Sequence, residues 1–379
     1  MVSSTFSYKN GQWINQSSSI DSQSVSILLV FADRALLENE NLTAGLKKMH
    51  PEARLIFCST AGEIYQREVE AETAVCVALS FDSTPFHLAA GNIKSHKNSF
   101  DLGKNIATQL PSSDLRYILV IADGNKINGD ELLSGIQENM DPGVTISGGM
   151  AGDGVLFQKT LVGLDNDMQE GNVVLMGLYG NKIRVGTGFK GGWDVYGPER
   201  VITKSNGNIL HEIDGENALD LYKKYLGKYA EELPSSALFF PISIKSDKDD
   251  FFIVRTILSV DEKNKTMTFA GNLPQGSVVR FMKSNFDRLI HAASGAGEDA
   301  MKDLDQPKAD LALLVSCVGR KLVLANRTEE EVEAAVENFS KGTTVAGFFS
   351  YGEIAPMKNS QKSHLHNQTM SVTTFTELP

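Results

Sequence analysis

The sequence predicts an α/β fold, with α+β as the second option: repeated β-α-β-loop-β units forming mixed sheets with flanking helices, in two domains. Three observations predict it. Short continuous apolar runs recur along the chain, the pattern of strands buried on both faces. Each run is followed by a stretch with apolar residues at three-to-four spacing, which marks an amphipathic helix. This pairing occurs three times and ends each time in a small-residue turn carrying an acid. Three such copies in one chain point to duplication of one unit.

The first unit runs from Ile27 to Glu63: ILLVFAD, then ENLTAGLKKMHP, then ARLIFCSTAGE. The second runs from Ile118 to Asp153: ILVIADG, GDELLSGIQENMDP, VTISGGMAGD. The third runs from Ala312 to Glu353: ALLVSCVGR, TEEEVEAAVENFS, TVAGFFSYGE. The helical faces are Leu42, Leu46 and Met49, then Leu132, Ile136 and Met140, then Val332, Val336 and Phe339. Thr328 stands three residues before Glu331, so the third helix is expected to open on a capping box. Each acid is followed by a variable loop and a further strand-like run, at 73–81, 172–180 and 368–375. A helix joining two strands makes parallel pairing the expectation within each unit.

Between the second and third units lies a long stretch, roughly 183–311. Gly-rich strands (GTGFKGGWDVYGPERV) open it, and a helix (GENALDLYKKYLGKYAEEL) follows. Pro234-Ser235-Ser236 then reads as a boundary. Beyond it come strand pairs, FFIVRTILSVD and KTMTFAGNLPQGSVVRFM, and a helix, NFDRLIHAASGAGEDAM. The expected division is an N-terminal extension over 1–24, one domain of two units over 25–232, and a second domain with the third unit over 233–379.

Composition narrows the function classes. With 41% hydrophobic and 22% charged residues in 379, the chain is globular rather than disordered. The formal net charge of −11 disfavours nucleic acid and anionic membrane surfaces as partners. Three cysteines, Cys58, Cys76 and Cys317, sit in apolar runs and read as core residues. The N-terminus lacks a basic segment followed by an apolar one, and no apolar run approaches the roughly 20 residues that span a bilayer. A cytoplasmic location is expected.

Familiar catalytic patterns are absent. No GxGxxG follows a strand and opens a helix, and GGMAGDG (148–154) leads instead into VLFQ, which reads as a strand. There is no Walker A motif, no Gly-x-Ser-x-Gly elbow and no His-Glu-x-x-His. The acids of the three Gly turns either accept backbone N–H groups in their own turn or contact a ligand. Used as acid or base, Glu63, Asp153 or Glu353 would make this an enzyme acting on a small polar substrate, the alternative reading. Gly permits close backbone approach. On this ground the turns at Gly62-Glu63 and Gly352-Glu353, with Arg320 and Asn367, are expected to border one or two polar clefts. Asp153 and Tyr351 complete the candidate ligand-binding set. Of seven histidines, His211, His291 and His366 have apolar neighbours.

At these motifs the sequence resembles the FIST proteins, a family of bacterial sensory domains. The N-terminal part of the likeness is carried by FCSTAGEI (57–64), SGGMAGDG (147–154) and GNILHEIDGENALDLYKKYLG (207–227). The C-terminal part is carried by FIVRTILSVD, FAGNLPQGSVVRFM, NFDRLI, SCVGR, GFFSYGEI and HNQTM (366–370). Together they cover roughly residues 25–378. The resemblance implies a non-catalytic sensor that binds a small molecule and regulates a signalling partner such as a histidine kinase or a cyclic-di-GMP enzyme. Stand-alone members of this length resemble haem-containing nitric-oxide sensors. That implies haem as cofactor, with His366 as axial ligand and His291 or His211 as alternatives. Many relatives are expected to carry an aromatic such as Tyr at position 211, where this chain has His.

Overall fold

The computed structural model describes residues 1–15, 24–245, 251–357 and 362–379. The three expected first strands are Ile27–Ala32, Leu115–Ala122 and Leu311–Cys317. Each pairs in parallel with the second strand of its own unit, Arg54–Ser59, Thr145–Met150 and Thr344–Ser350. Each also pairs antiparallel with a return strand, Ala74–Ser80, Asn172–Tyr179 and Met370–Glu377. The return strand is flanked in turn by an outer strand, Val2–Lys9, Phe86–Asn92 and Ile183–Lys190. The repeat is therefore real at the level of strand order and direction.

The variable loops hold what the sequence pattern hid. Each contains a hairpin, and each hairpin joins the sheet of a different unit. Glu63–Tyr65 of the first unit pairs with Thr344–Ser350 of the third. Val162–Leu164 of the second pairs with Arg54–Ser59 of the first. Gly352–Pro356 of the third pairs with Thr145–Met150 of the second. The exchange closes in a ring, so no unit completes its sheet alone.

Both faces of these sheets are buried, which accounts for the unbroken apolar runs. Alternate residues point to opposite faces. Ile27, Leu29 and Phe31 join Leu119, Ile121, Leu313 and Val315 in one core shared by all three sheets. Leu28 and Val30 point outward instead, onto Leu42 and Leu46 of the helix Glu40–Met49. The helices Gly129–Gln137 and Thr328–Val336 cover the other two sheets in the same way. Thr328 makes no capping box: its hydroxyl donates to Lys321 and Ala325 carbonyls, and Glu331 turns inward to Arg320.

A fourth sheet interrupts the third unit between its outer strand and the helix Phe286–Leu304. Its main path runs from Ile253–Arg255 through Ile242–Lys245, Val278–Lys283, Arg200–Asn206, Ile209–Ile213 and Thr266–Phe269 to Ile257–Asp261. It draws strands from both sides of residue 232 and has its own core around Leu210, Tyr222, Phe269 and Phe281. Among the described residues no helix is long and apolar enough to cross a membrane.

Candidate functional site

The acid turns come first, because the sequence points to them. Glu63 is fully buried and accepts hydrogen bonds from the hydroxyls of Thr60 and, at 2.7 Å, Thr73. Glu353 is fully buried too. It accepts from the Ser350 hydroxyl at 2.7 Å and from the Thr369 hydroxyl and N–H at 2.8 and 3.1 Å. The two sites are copies: a hydroxyl three residues before the acid, and a threonine just before the return strand. Burial pushes each carboxyl up to about 7, against the pull of those hydroxyls.

Asp153 occupies a different position. Its turn precedes the hairpin strand Val162–Leu164 by a loop, and residues 155–158, expected as strand, belong to that loop. The carboxylate accepts N–H groups from Gln158 and Lys159 and the hydroxyl of Tyr351. The Tyr351 oxygen also receives the N–H groups of Asp153 and Phe157. In the second unit Asp123 is the more deeply buried acid, and it accepts from the N–H groups of Asn125, Lys126 and Gly171.

Arg320 is fully buried. It pairs with Glu331 at 2.6 Å and donates to the carbonyls of Leu289 at 2.9 Å, Gln368 at 3.3 Å and Gly191. Gly62 has φ +130, and a Cβ there would strike the ammonium of Lys321. Lys321 donates to the Ala61 carbonyl at 2.8 Å, and burial holds its pKa below the usual lysine range. Asn367 and Gln368 are buried with no hydrogen-bond partner for either amide atom among the described residues. The Gln368 amide lies against Gly319, where a Cβ would come within 2.4 Å of its nitrogen.

A cleft of about 960 Å³ lies elsewhere. Its floor is the carboxyl ends of first and second strands: the loop 124–129, Met150, residues 317–319 and Tyr351. The inserted sheet forms its roof through Asn208, residues 256–258 and 269–271, with Leu238 and the 155–157 loop at the sides. Ligands of open α/β sheets sit beyond the carboxyl ends of the strands for topological reasons. Arg255 ties roof to floor. It holds both Asp130 oxygens at 3.0 Å and the Leu365 carbonyl at 2.9 Å.

Of the expected ligand residues, Tyr351 lines this cleft; Gly62, Glu63, Asp153, Arg320, Glu353 and Asn367 do not. The cleft residues that sequence reasoning missed, such as Thr256, Leu258, Phe269 and Leu365, are mostly apolar and form no motif. Cys317 is buried, as its apolar run predicts. It borders the cleft, its thiol pushed up by burial and by Glu353.

A model of the FIST N domain matches residues 26–216, and one of the FIST C domain matches residues 218–356. The chain belongs to the FIST family. FIST domains are sensory domains of signalling proteins. The boundary between the two matched regions falls inside the inserted sheet. This FIST protein is also 23% identical over 372 residues to an uncharacterized protein of Methanocaldococcus jannaschii, covering 86% of this chain and 69% of that one. An uncharacterized protein of Mycobacterium tuberculosis is 23% identical over 354 residues, covering 89% and 87%. One of Mycobacterium bovis is 23% identical over 252 residues, covering 62% and 61%.

The residues of this FIST protein do not fit haem in the cleft. An axial ligand needs a free imidazole nitrogen facing an apolar cavity. His366 is buried against Phe189, with ring centroids 4.2 Å apart, and borders no part of the cleft. Its Nε2 lies 3.2 Å from the Ala355 carbonyl, an acceptor, so that nitrogen carries a proton. Burial drives its pKa down to about 3. His291 is exposed on the helix Phe286–Leu304, and His211 is half-buried on the strand Ile209–Ile213. Among the described residues no group of three or more His, Cys, Asp or Glu could hold a metal ion.

Proposed function

We propose that this FIST protein is a non-catalytic sensor whose small ligand enters the cleft between the inserted sheet and the strand ends, and whose occupancy is passed to a signalling partner. A histidine kinase or a cyclic-di-GMP enzyme is the kind of partner the family suggests. The observation that carries the reading is the place of the cleft: it sits where α/β folds bind ligands and joins three separate parts of the chain. The acids needed by an enzyme acting on a polar substrate lie outside it. Glu63 and Glu353 are enclosed by hydroxyls, and Asp153 holds a loop. Cys317 has no histidine beside it in the cleft lining to act as base.

Ala270 faces the cleft, and Ala270→Trp fills part of it. Small molecules released from denatured wild-type and variant protein are compared by mass spectrometry. The expected result is a molecule retained by the wild type alone, which changes kinase autophosphorylation only with the wild type. Identical extracts from both proteins would show that the cleft is not the site.

A further inference from the structure

We infer that the cleft takes a neutral, predominantly apolar small molecule with one hydrogen-bonding oxygen, and that Thr256 is the residue meeting that oxygen. This rests on the ligand-sensing reading and names its ligand class. The walls are made by side chains such as Ile127, Met150, Leu258, Phe269 and Leu365. Among the described residues Lys126 is the single charged one lining it, and it sits with its side chain 54% exposed, 3.9 Å from Glu170. A buried ligand charge would have no partner there, and an unpaired buried charge is strongly disfavoured. Arg255 and Asp130, behind the wall, already neutralise each other.

Of the polar side chains on the walls, those of Asn128, Asn208 and Tyr351 are engaged, and those of Asn125 and Ser235 are exposed to solvent. Asn128 accepts from the Glu131 N–H and donates to Asn272. The Tyr351 hydroxyl is held by Asp153, Phe157 and Gly154, which leaves its ring to face the ligand. Thr256 differs. It is 7% exposed and lines the cleft, and its hydroxyl, itself enclosed, has no hydrogen-bond partner among the described residues, so it meets a ligand oxygen once the side chain rotates about χ1. Such a group can donate to a carbonyl or accept from a hydroxyl. Asn367 and Gln368 are also unpartnered, but neither borders the cleft. The lips are apolar as well: Val155, Phe157 and Leu258 are exposed, and Phe157 stacks on Tyr351 at 4.5 Å. A cleft of about 960 Å³ has room for a drug-sized molecule.

The test is calorimetric titration of the whole protein with three probes of equal chain length: 1-octanol, octanoate and octylammonium. The expected result is 1-octanol binding at least about tenfold tighter than either ion. Thr256→Val should weaken 1-octanol about three- to tenfold, the worth of one hydrogen bond, and Thr256→Ser should restore it. Thermal melts establish that both variants are folded. An ion binding as tightly as the alcohol overturns the neutral ligand class. So does failure of all three probes to bind. Unchanged 1-octanol affinity in Thr256→Val overturns the role of Thr256. If 1-octanol binds equally well to Ala270→Trp, the cleft reading itself falls.

Discussion

Glu353 and Tyr351 stand two residues apart and belong to two different regions. Glu353 faces the ring of exchanged hairpins, where three donors converge on one carboxyl. Tyr351 faces the cleft, whose roof carries a threonine hydroxyl with no partner among the described residues. The first arrangement is copied between units, as Thr60-Glu63-Thr73 and Ser350-Glu353-Thr369. The second lies where the inserted sheet and the long 151–161 loop break the repeat. The difference teaches that residues kept alike across the units hold the frame. On the proposed reading, recognition is built where the units diverge.

The largest expected effect lies in the frame. Arg320 and Glu331 are both fully buried, so Arg320→Met leaves a carboxylate in the core without its cation. Breaking such a pair costs about 3–5 kcal/mol. Leu258→Ala at the exposed lip should change stability by less than about 0.5 kcal/mol. Urea denaturation of both variants measures the contrast. Similar losses would erase the distinction between the two regions.

The frame was the legible part of the sequence. Parallel strands buried on both faces give apolar runs such as ILLVFA and LALLVSC, and the helices between them keep their period. The Gly-acid turns were conspicuous for the same reason. Their purpose was not legible, because Glu63 meets Thr73 and Glu353 meets Thr369 only after a hairpin has crossed to another sheet. Thr328 and Glu331 matched a capping box by spacing, but Arg320 on the neighbouring helix claims the glutamate. Asp153 matched the other acids by its glycines alone. The cleft left no local trace, since Asn128, Thr256 and Tyr351 are far apart in sequence and its walls read as ordinary core.

A second effect sharpens the contrast through pH. Glu63 and Glu353 are both raised to about 7 by burial, above the unfolded value near 4.3. The stability that each neutral carboxyl contributes is complete below the unfolded pKa and is lost as pH rises through about 7. Glu63→Gln keeps the neutral form at every pH. Its stability relative to the wild type should therefore climb between about pH 4.5 and 7, by up to about 3 kcal/mol, and then level off. His366, pushed down to about 3, gives the opposite slope below about 6.5, but equally in both proteins, so it cancels in the difference. Denaturation curves at pH 5, 6, 7 and 8 make the comparison. Parallel profiles would mean that Glu63 ionises in the folded protein as freely as in water.

The smallest effect is also the one that separates frame from site most sharply. In the frame, deleting a partnered hydroxyl such as that of Ser350 or Thr369 should cost stability, because the carboxyl it serves is left short of a donor. Thr256→Val removes a buried hydroxyl that has no partner among the described residues and replaces it with a methyl of similar size. Nothing is orphaned, and one desolvated polar group disappears. The variant should therefore be as stable as the wild type or more stable by about 1 kcal/mol, read as a small rise in melting temperature. A residue that weakens the empty protein and strengthens the bound one belongs to recognition. A fall in melting temperature would mean that the hydroxyl is satisfied in the empty protein, by an ordered water or a shift of the 256–258 backbone, and Thr256 would then belong with Glu63 and Glu353 as part of the frame.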